Sequence, residues 1–179
     1  MEREERYIKT AKELERLLDQ LNLIHRKNTI LDYGCAVGFL MQGFIDIGYT
    51  NVLGYDISQW ATEVAMQSGK TILKDLENVA PNILIALDVF EHMTDEEIHI
   101  ILKKLKSNVL VARIPCSTDG GHTFHLSVSQ NDLTHINCKD KIDWIMFFKQ
   151  YYTGILRLNL NTIYDSPGVT CLLAFNEKD

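Results

Sequence analysis

Residues 30–38 read Ile30-Leu31-Asp32-Tyr33-Gly34-Cys35-Ala36-Val37-Gly38, an apolar run that ends in a carboxylate and passes into a loop of small residues. Such a run suits a strand. Glycine at 34 and 38 lets backbone approach a ligand closely, and a helix beginning near Val37 would aim its first N–H groups at that ligand. Further on, the next β-rich run ends in Asp56, where a carboxylate can accept both hydroxyls of a ribose. The pair of features points to a ligand that contains a nucleoside.

Outward from this loop, β-rich runs at 29–33, 51–56, 71–75, 82–88 and 108–114 alternate with stretches of helical or turn character. That alternation predicts a parallel α/β sheet. The fourth and fifth runs are almost continuously apolar, as expected when helices cover both faces of a sheet. Between them, Thr94-Asp95-Glu96-Glu97 is a capping box, and Ile98, Ile101, Leu102 and Leu105 follow at helical spacing. A further helix is expected over 141–151 with Asp140 as its cap. Upstream, Ile8, Ala11, Leu14, Leu18 and Leu21 give 5–21 one buried helical stripe. This helix lies outside the alternation, so 1–27 is read as a helical cap on a domain spanning 28–179. Near the other end, Leu156, Leu158 and Leu160 alternate with polar residues before the turn at 165–168, and an apolar run restarts at Val169. These residues predict a C-terminal antiparallel hairpin. The expected fold is therefore α/β, a single Rossmann-like domain whose seven-stranded sheet joins five parallel strands to that hairpin, with helices on both faces.

The 179 residues carry 18 basic and 24 acidic side chains, and the net charge of −6 opposes nucleic acid and anionic membrane surfaces. No basic patch overrides it, since Lys103, Lys104 and Lys106 fall at an expected helix C-terminus, where the helix dipole favours cations. With 46% apolar and 23% charged residues, the composition is that of an ordinary globular protein. Cys35, Cys116, Cys138 and Cys171 form no CxxC pair, which suits reduced thiols in a cytoplasm. The N-terminus is too charged for a signal peptide, and no apolar run reaches the roughly 18 residues of a membrane span. A cytoplasmic protein acting on a small molecule is expected, with neither nucleic acid nor membrane as partner.

Two cofactor classes share the loop-and-acid geometry. The dinucleotide fingerprint G-x-G-x-x-G would need small residues at 34, 36 and 39, and Phe39 would obstruct helix–strand packing, which counts against NAD. The chain instead resembles the class I S-adenosylmethionine-dependent methyltransferases of small-molecule type. Their first motif, acid-x-G-x-G-x-G, is matched by Asp32-Tyr33-Gly34-Cys35-Ala36-Val37-Gly38, with Ala36 in place of the middle glycine. A methyl group at 36 fits if that residue keeps a negative φ. The resemblance covers nearly the whole chain, including Asp56 in Gly-Tyr-Asp-Ile-Ser, Asp75-Leu76 after the third run and Asp88-Val89-Phe90-Glu91-His92 after the fourth. It implies that S-adenosylmethionine is the cofactor and that Asp32, Gly34, Ala36, Gly38, Asp56, Ile57, Asp75, Leu76 and Asp88 bind it. Asp32 and Gly34 would lie near its amino-acid portion, and Asp56 on the ribose. Asp75 would accept from the adenine amino group, with the Leu76 N–H facing the ring; Asp75 reads equally as a strand-end cap.

Methyl transfer is an in-line displacement that needs an acceptor held near the sulfonium carbon, and a base when the acceptor is a hydroxyl. Candidate bases are His92 after the fourth strand and His122 and His125 after the fifth, with His135 further along; His25 and His99 are expected at the surface. His92 also suits a capping role beside the Thr94 helix. The long polar segment 116–137 is the expected substrate segment, mobile without ligand because Gly120 and Gly121 have little to fix them. His122-x₂-His125 with His135 lacks the spacing of a metal site, so no metal is expected. The strand-four sequence lacks the Pro-Pro-aromatic signature of enzymes that methylate exocyclic amines of bases, and Pro115-Cys116 reads as a strand end rather than a nucleophile dipeptide. The expected function is methyl transfer from S-adenosylmethionine to a small molecule, at oxygen. A non-catalytic S-adenosylmethionine-binding subunit and an NAD-dependent oxidoreductase are the alternatives.

Overall fold

Ala11, Leu14 and Leu18 recur three or four residues apart and, with Thr10, form the buried stripe of helix α1, Arg3–Gln20, in a computed structural model that describes residues 3–177. The chain then alternates through β1 (Ile30–Tyr33), α2 (Phe39–Asp46), β2 (Val52–Tyr55), α3 (Gln59–Gln67), β3 (Thr71–Ile72), β4 (Ile83–Leu87), α4 (Asp95–Leu105) and β5 (Val109–Pro115). After a long segment containing the single turn α5 (Ser127–Gln130) come α6 (Lys141–Phe148), β6 (Gly154–Arg157) and β7 (Val169–Phe175). The seven strands form one sheet in the order β3-β2-β1-β4-β5-β7-β6. β1 to β5 run parallel, and β7 enters antiparallel between β5 and β6.

Successive strand residues face opposite sides, so each strand feeds two cores. Ile30, Ile83, Ile85, Val109 and Val111 pack with α1 and α2, while Leu31, Leu84, Ala86, Leu110 and Ala112 pack with α4 and α6. Helix α1 is therefore one with the core of the sheet. Its approach to α2 is close enough that a Cβ on Gly43 would lie 2.6 Å from that of Ala11. Because β1 pairs with β2 on one side and β4 on the other, the strand order reverses there and opens a crevice beyond the carboxyl ends of those strands.

Some element bounds differ from the sequence reading. Strand β3 stops at Ile72 instead of 75, since Asp75 Oδ1 accepts the Glu77 N–H at 2.8 Å and turns the chain. Helix α2 starts at Phe39 because Gly38 sits in the left-handed region, with φ +81°. Asp140 precedes α6 without capping it, and its Oδ2 instead accepts the Gly120 N–H at 3.2 Å. That helix ends at Phe148. Strand β6 ends at Arg157, so Leu158 and Leu160 belong to the connection rather than to the strand.

Candidate active site

The loop after β1 is built by backbone. Gly34 and Cys35 N–H groups both donate to the Tyr55 carbonyl, at 2.8 and 3.1 Å, and Gly38 N–H donates to Cys35 at 2.8 Å. Gly34 has φ +83°, and a Cβ there would lie 2.4 Å from Val89 Cγ2, so only glycine fits. Ala36 also has positive φ, at +45°, which corrects the expectation of a negative angle. The left-handed region costs a non-glycine residue about 1–2 kcal/mol. Asp56 holds it there: its Oδ2 accepts the Ala36 N–H and its Oδ1 the Ser58 N–H, both at 2.8 Å. The same carboxylate thus ties the loop to the start of α3.

Above this loop lies a cleft of about 1290 Å³. Asp32, Gly34, Ala36, Asp56, Ile57 and Asp88 line it, joined by His92 and Thr134. Asp32 is 5% exposed, and burial together with the nearby Asp56 charge pushes its pKa up to about 7. Tyr33 and Tyr55, paired in register, stack with ring centroids 5.4 Å apart and form part of the wall. Ile57 and Trp60 are exposed at the rim, and Arg3, Glu4 and Tyr7 of α1 close another side. Asp75 and Leu76 do not line this cleft. Asp75 makes the turn after β3, and Leu76 is buried in the core beside α4.

The histidine reading changes more. Neither His122 nor His125 lines the cleft; both are exposed, and His125 Nδ1 pairs with Thr118 Oγ1 at 3.0 Å. His92 does line it, from a 3₁₀ turn at Phe90–His92. His135, which the sequence placed with His122 and His125, lies against His92 instead, with ring centroids 4.6 Å apart. The Glu91 carbonyl makes this possible by accepting the N–H groups of Ile136 and Asn137 at 2.8 and 3.0 Å, while Asn137 Nδ2 donates to Met93 O and Asp95 Oδ1.

Hydrogen bonding also sets the His92 tautomer. Thr134 Oγ1 donates its proton to Asp132 Oδ1 at 2.6 Å, so the contacts of His92 Nδ1 with Thr134 Oγ1 and O, at 2.9 and 3.2 Å, require an N–H on Nδ1. Nε2 lies 3.9 Å from Glu91 Oε1. Glu91 is fully buried, and burial together with Asp88 pushes its pKa up to about 8. Asp88, at φ +58°, pairs with Arg113, while burial raises its pKa.

A methyltransferase domain model matches residues 2–154, most of the chain. The chain belongs to the methyltransferase-domain family. Solved structures similar to it include magnesium protoporphyrin IX methyltransferase from Synechocystis with bound S-adenosylhomocysteine, at 19% identity and a TM-score of 0.66 over 96% of this chain and 84% of that one. A methyltransferase from Archaeoglobus fulgidus described as dependent on S-adenosylmethionine aligns at 12% identity and 0.67, over 93% of this chain and 94% of the other. One from Clostridium acetobutylicum aligns at 12% and 0.65, over 93% and 91%. At these identities the likeness shows the fold, and it is the Rossmann-like methyltransferase fold. Among curated proteins no sequence matches.

In this methyltransferase the segment 116–137 is tied down at both ends. Asp119 accepts from Ser117 Oγ, Thr123 Oγ1, His122 N and Thr123 N, bonds that hold its pKa well below the usual carboxylate range. Gly121 N–H donates to Ser117 Oγ at 3.0 Å, so the glycine pair that looked unconstrained in sequence has partners. The sequence reading missed Thr134, Trp60 and Val89 at the cleft and gave Glu91 no role. A glutamate four residues beyond the apolar β4, next to His92, was the available signal for the last. Among the described residues no helix is long and apolar enough to cross a membrane.

Proposed function

We propose that this methyltransferase transfers a methyl group from S-adenosylmethionine to an oxygen of a small-molecule acceptor. The carrying observation is the polar lining of the cleft: buried Asp32 and half-buried Asp56 by the glycine loop, together with His92, whose Nδ1 is held by Thr134. The residues fit the donor. Asp32 is an acid with a raised pKa that a cationic amino-acid ammonium would ionise, Asp56 keeps lone pairs for ribose hydroxyls beside its two backbone bonds, and the narrow Gly34 turn admits close backbone approach. When bound, the donor supplies an electrophilic methyl carbon on a sulfonium. His92 Nε2 would take the proton of an acceptor hydroxyl directed at that carbon. Exposed Ile57 and Trp60 offer apolar cover for the flat base or for an apolar acceptor. The negative net charge and the small size of the cleft relative to a polymer support a metabolite as acceptor.

Binding by calorimetry and turnover with labelled donor test this. His92→Ala is expected to lower turnover about 10²–10³-fold with little change in donor affinity, the range of a lost general base. Donor binding with no transfer to any fraction of a metabolite extract, in wild type, favours the non-catalytic subunit; binding of NAD in place of the donor overturns the cofactor.

A further inference from the structure

Beside the acceptor end of the cleft the fold keeps polar groups that it does not satisfy. Glu91 is fully buried, and neither of its carboxylate oxygens has a hydrogen-bond partner; His135 Nδ1 is buried and unpartnered too. One ligand atom from each of Glu91, His92 and His135 lies within 4.8 Å of those from the other two. Protonation, which its raised pKa allows, removes the charge from Glu91 but leaves both oxygens of a buried polar group without a partner, and a packed interior does not hold such a group for the sake of stability. The nearby cation, Arg113, is committed to Asp88 and does not supply the missing partner.

The outer nitrogens of both rings are already held. His92 Nδ1 donates to Thr134, and His135 Nε2 faces Asp132 Oδ2 at 3.6 Å. An imidazole oriented on its far side by a carbonyl, hydroxyl or carboxylate, with its near nitrogen unengaged, is the second-sphere pattern of metal-binding histidines. We propose that Glu91, His92 and His135 form a two-histidine, one-carboxylate site for a divalent transition metal at the acceptor end of the cleft. Two nitrogen donors favour manganese, iron, cobalt or zinc over magnesium or calcium, and three ligands on one side leave open positions. Metal–ligand distances of about 2.0–2.2 Å require the three atoms to draw in from their present spacing. His92, at the solvent edge, has room to do so. Buried Asp88 Oδ1, also unpartnered, adds negative charge beside the site.

Of the three ligands, His92 lines the cleft, beside Thr134. There, a claim that rests on the proposed oxygen transfer, the site draws in a hydroxyl or carboxylate oxygen of the acceptor and lowers its pKa. His92 in the loaded state is a ligand rather than the base, and the hydroxyl proton leaves to solvent.

Titration of the chelator-stripped full chain with Co²⁺ tests the site without catalysis, since a histidine-ligated centre with few ligands absorbs in the visible far more strongly than aqueous Co²⁺. Wild type is expected to show these bands. Glu91→Gln and His135→Gln are each expected to lose at least about 100-fold in Co²⁺ affinity, and Thr134→Val about 10-fold through loss of ring orientation. Circular dichroism and donor calorimetry on each variant report fold and cofactor site separately. If Glu91→Gln does not fold, His135→Gln, near the surface, carries the test alone. Aqueous-type spectra in wild type, or equal affinity in wild type and both ligand variants, overturn the site and leave His92 as a metal-free base. Intact Co²⁺ binding with no donor binding instead overturns the methyl-transfer reading alone.

Discussion

Asp32 in β1 and Ala36 in the loop that follows are four residues apart, yet only one of them was legible in sequence. An acid at the end of a glycine-bearing strand is a chemical signal, and it lands in the cleft as expected. The sign of φ at Ala36 depends on a bond from Asp56, which comes from the next strand and leaves no local trace. Asp32 yields a measurable consequence. Its folded pKa of about 7 lies above the ordinary carboxylate value of 3.8, so the folded protein holds a proton that the unfolded chain releases. Stability is therefore greater below pH 4 as far as this group is concerned, and falls as pH rises from about 4 to about 7, by an amount on the order of 4 kcal/mol. Urea unfolding across that range is expected to show the fall in wild type, reduced in Asp32→Asn. Glu91 leaves its own slope reaching to about 8, so the difference between the two curves isolates Asp32. Parallel curves would place the Asp32 carboxylate in contact with water.

At the scale of elements, local signals fared well where they were strong. The Thr94 capping box forms as read, with Thr94 Oγ1 accepting Glu97 N–H and the Glu97 carboxylate accepting Thr94 N–H. The long segment before α6 could not be read this way, because the bonds that seat its end against the rest of the fold span more than forty residues. Asn137 carries the clearest of these, bonding Met93 O and Asp95 Oδ1 at 2.8 Å each and so seating His135 beside the 3₁₀ turn. Asn137→Ala is expected to cost about 1–2 kcal/mol of global stability and to raise amide exchange at 134–137 above that of the β5 core. Unchanged exchange would show that the backbone bonds to the Glu91 carbonyl suffice. The pairing of His135 with His92, and not with its sequence neighbours, is the part of the site that sequence distance concealed.

For the whole molecule, strand alternation and a final hairpin specified the sheet, since β5 and β7 each follow a turn and read as apolar runs. What composition could not convey is that α1 reaches the cleft, where Tyr7 joins residues at and beyond the ends of β1, β2 and β4 in its lining. The placement of the two tryptophans has an optical consequence. Trp144 is fully enclosed beneath the sheet, stacked on Phe148, while Trp60 stands 70% exposed on the cleft rim. One indole therefore senses solvent at the doorway and the other senses only whether the core is intact. The fluorescence of the native chain should divide into a blue component blind to acrylamide and a red component that acrylamide quenches. Ligand entry should shield the red component alone, and denaturant should merge the two. Trp60→Phe would leave the unfolding signal in place and remove the ligand signal, giving separate readouts of occupancy and folding from a single unlabelled sample; a ligand response that survives this replacement would mean that binding is felt at Trp144, across the sheet.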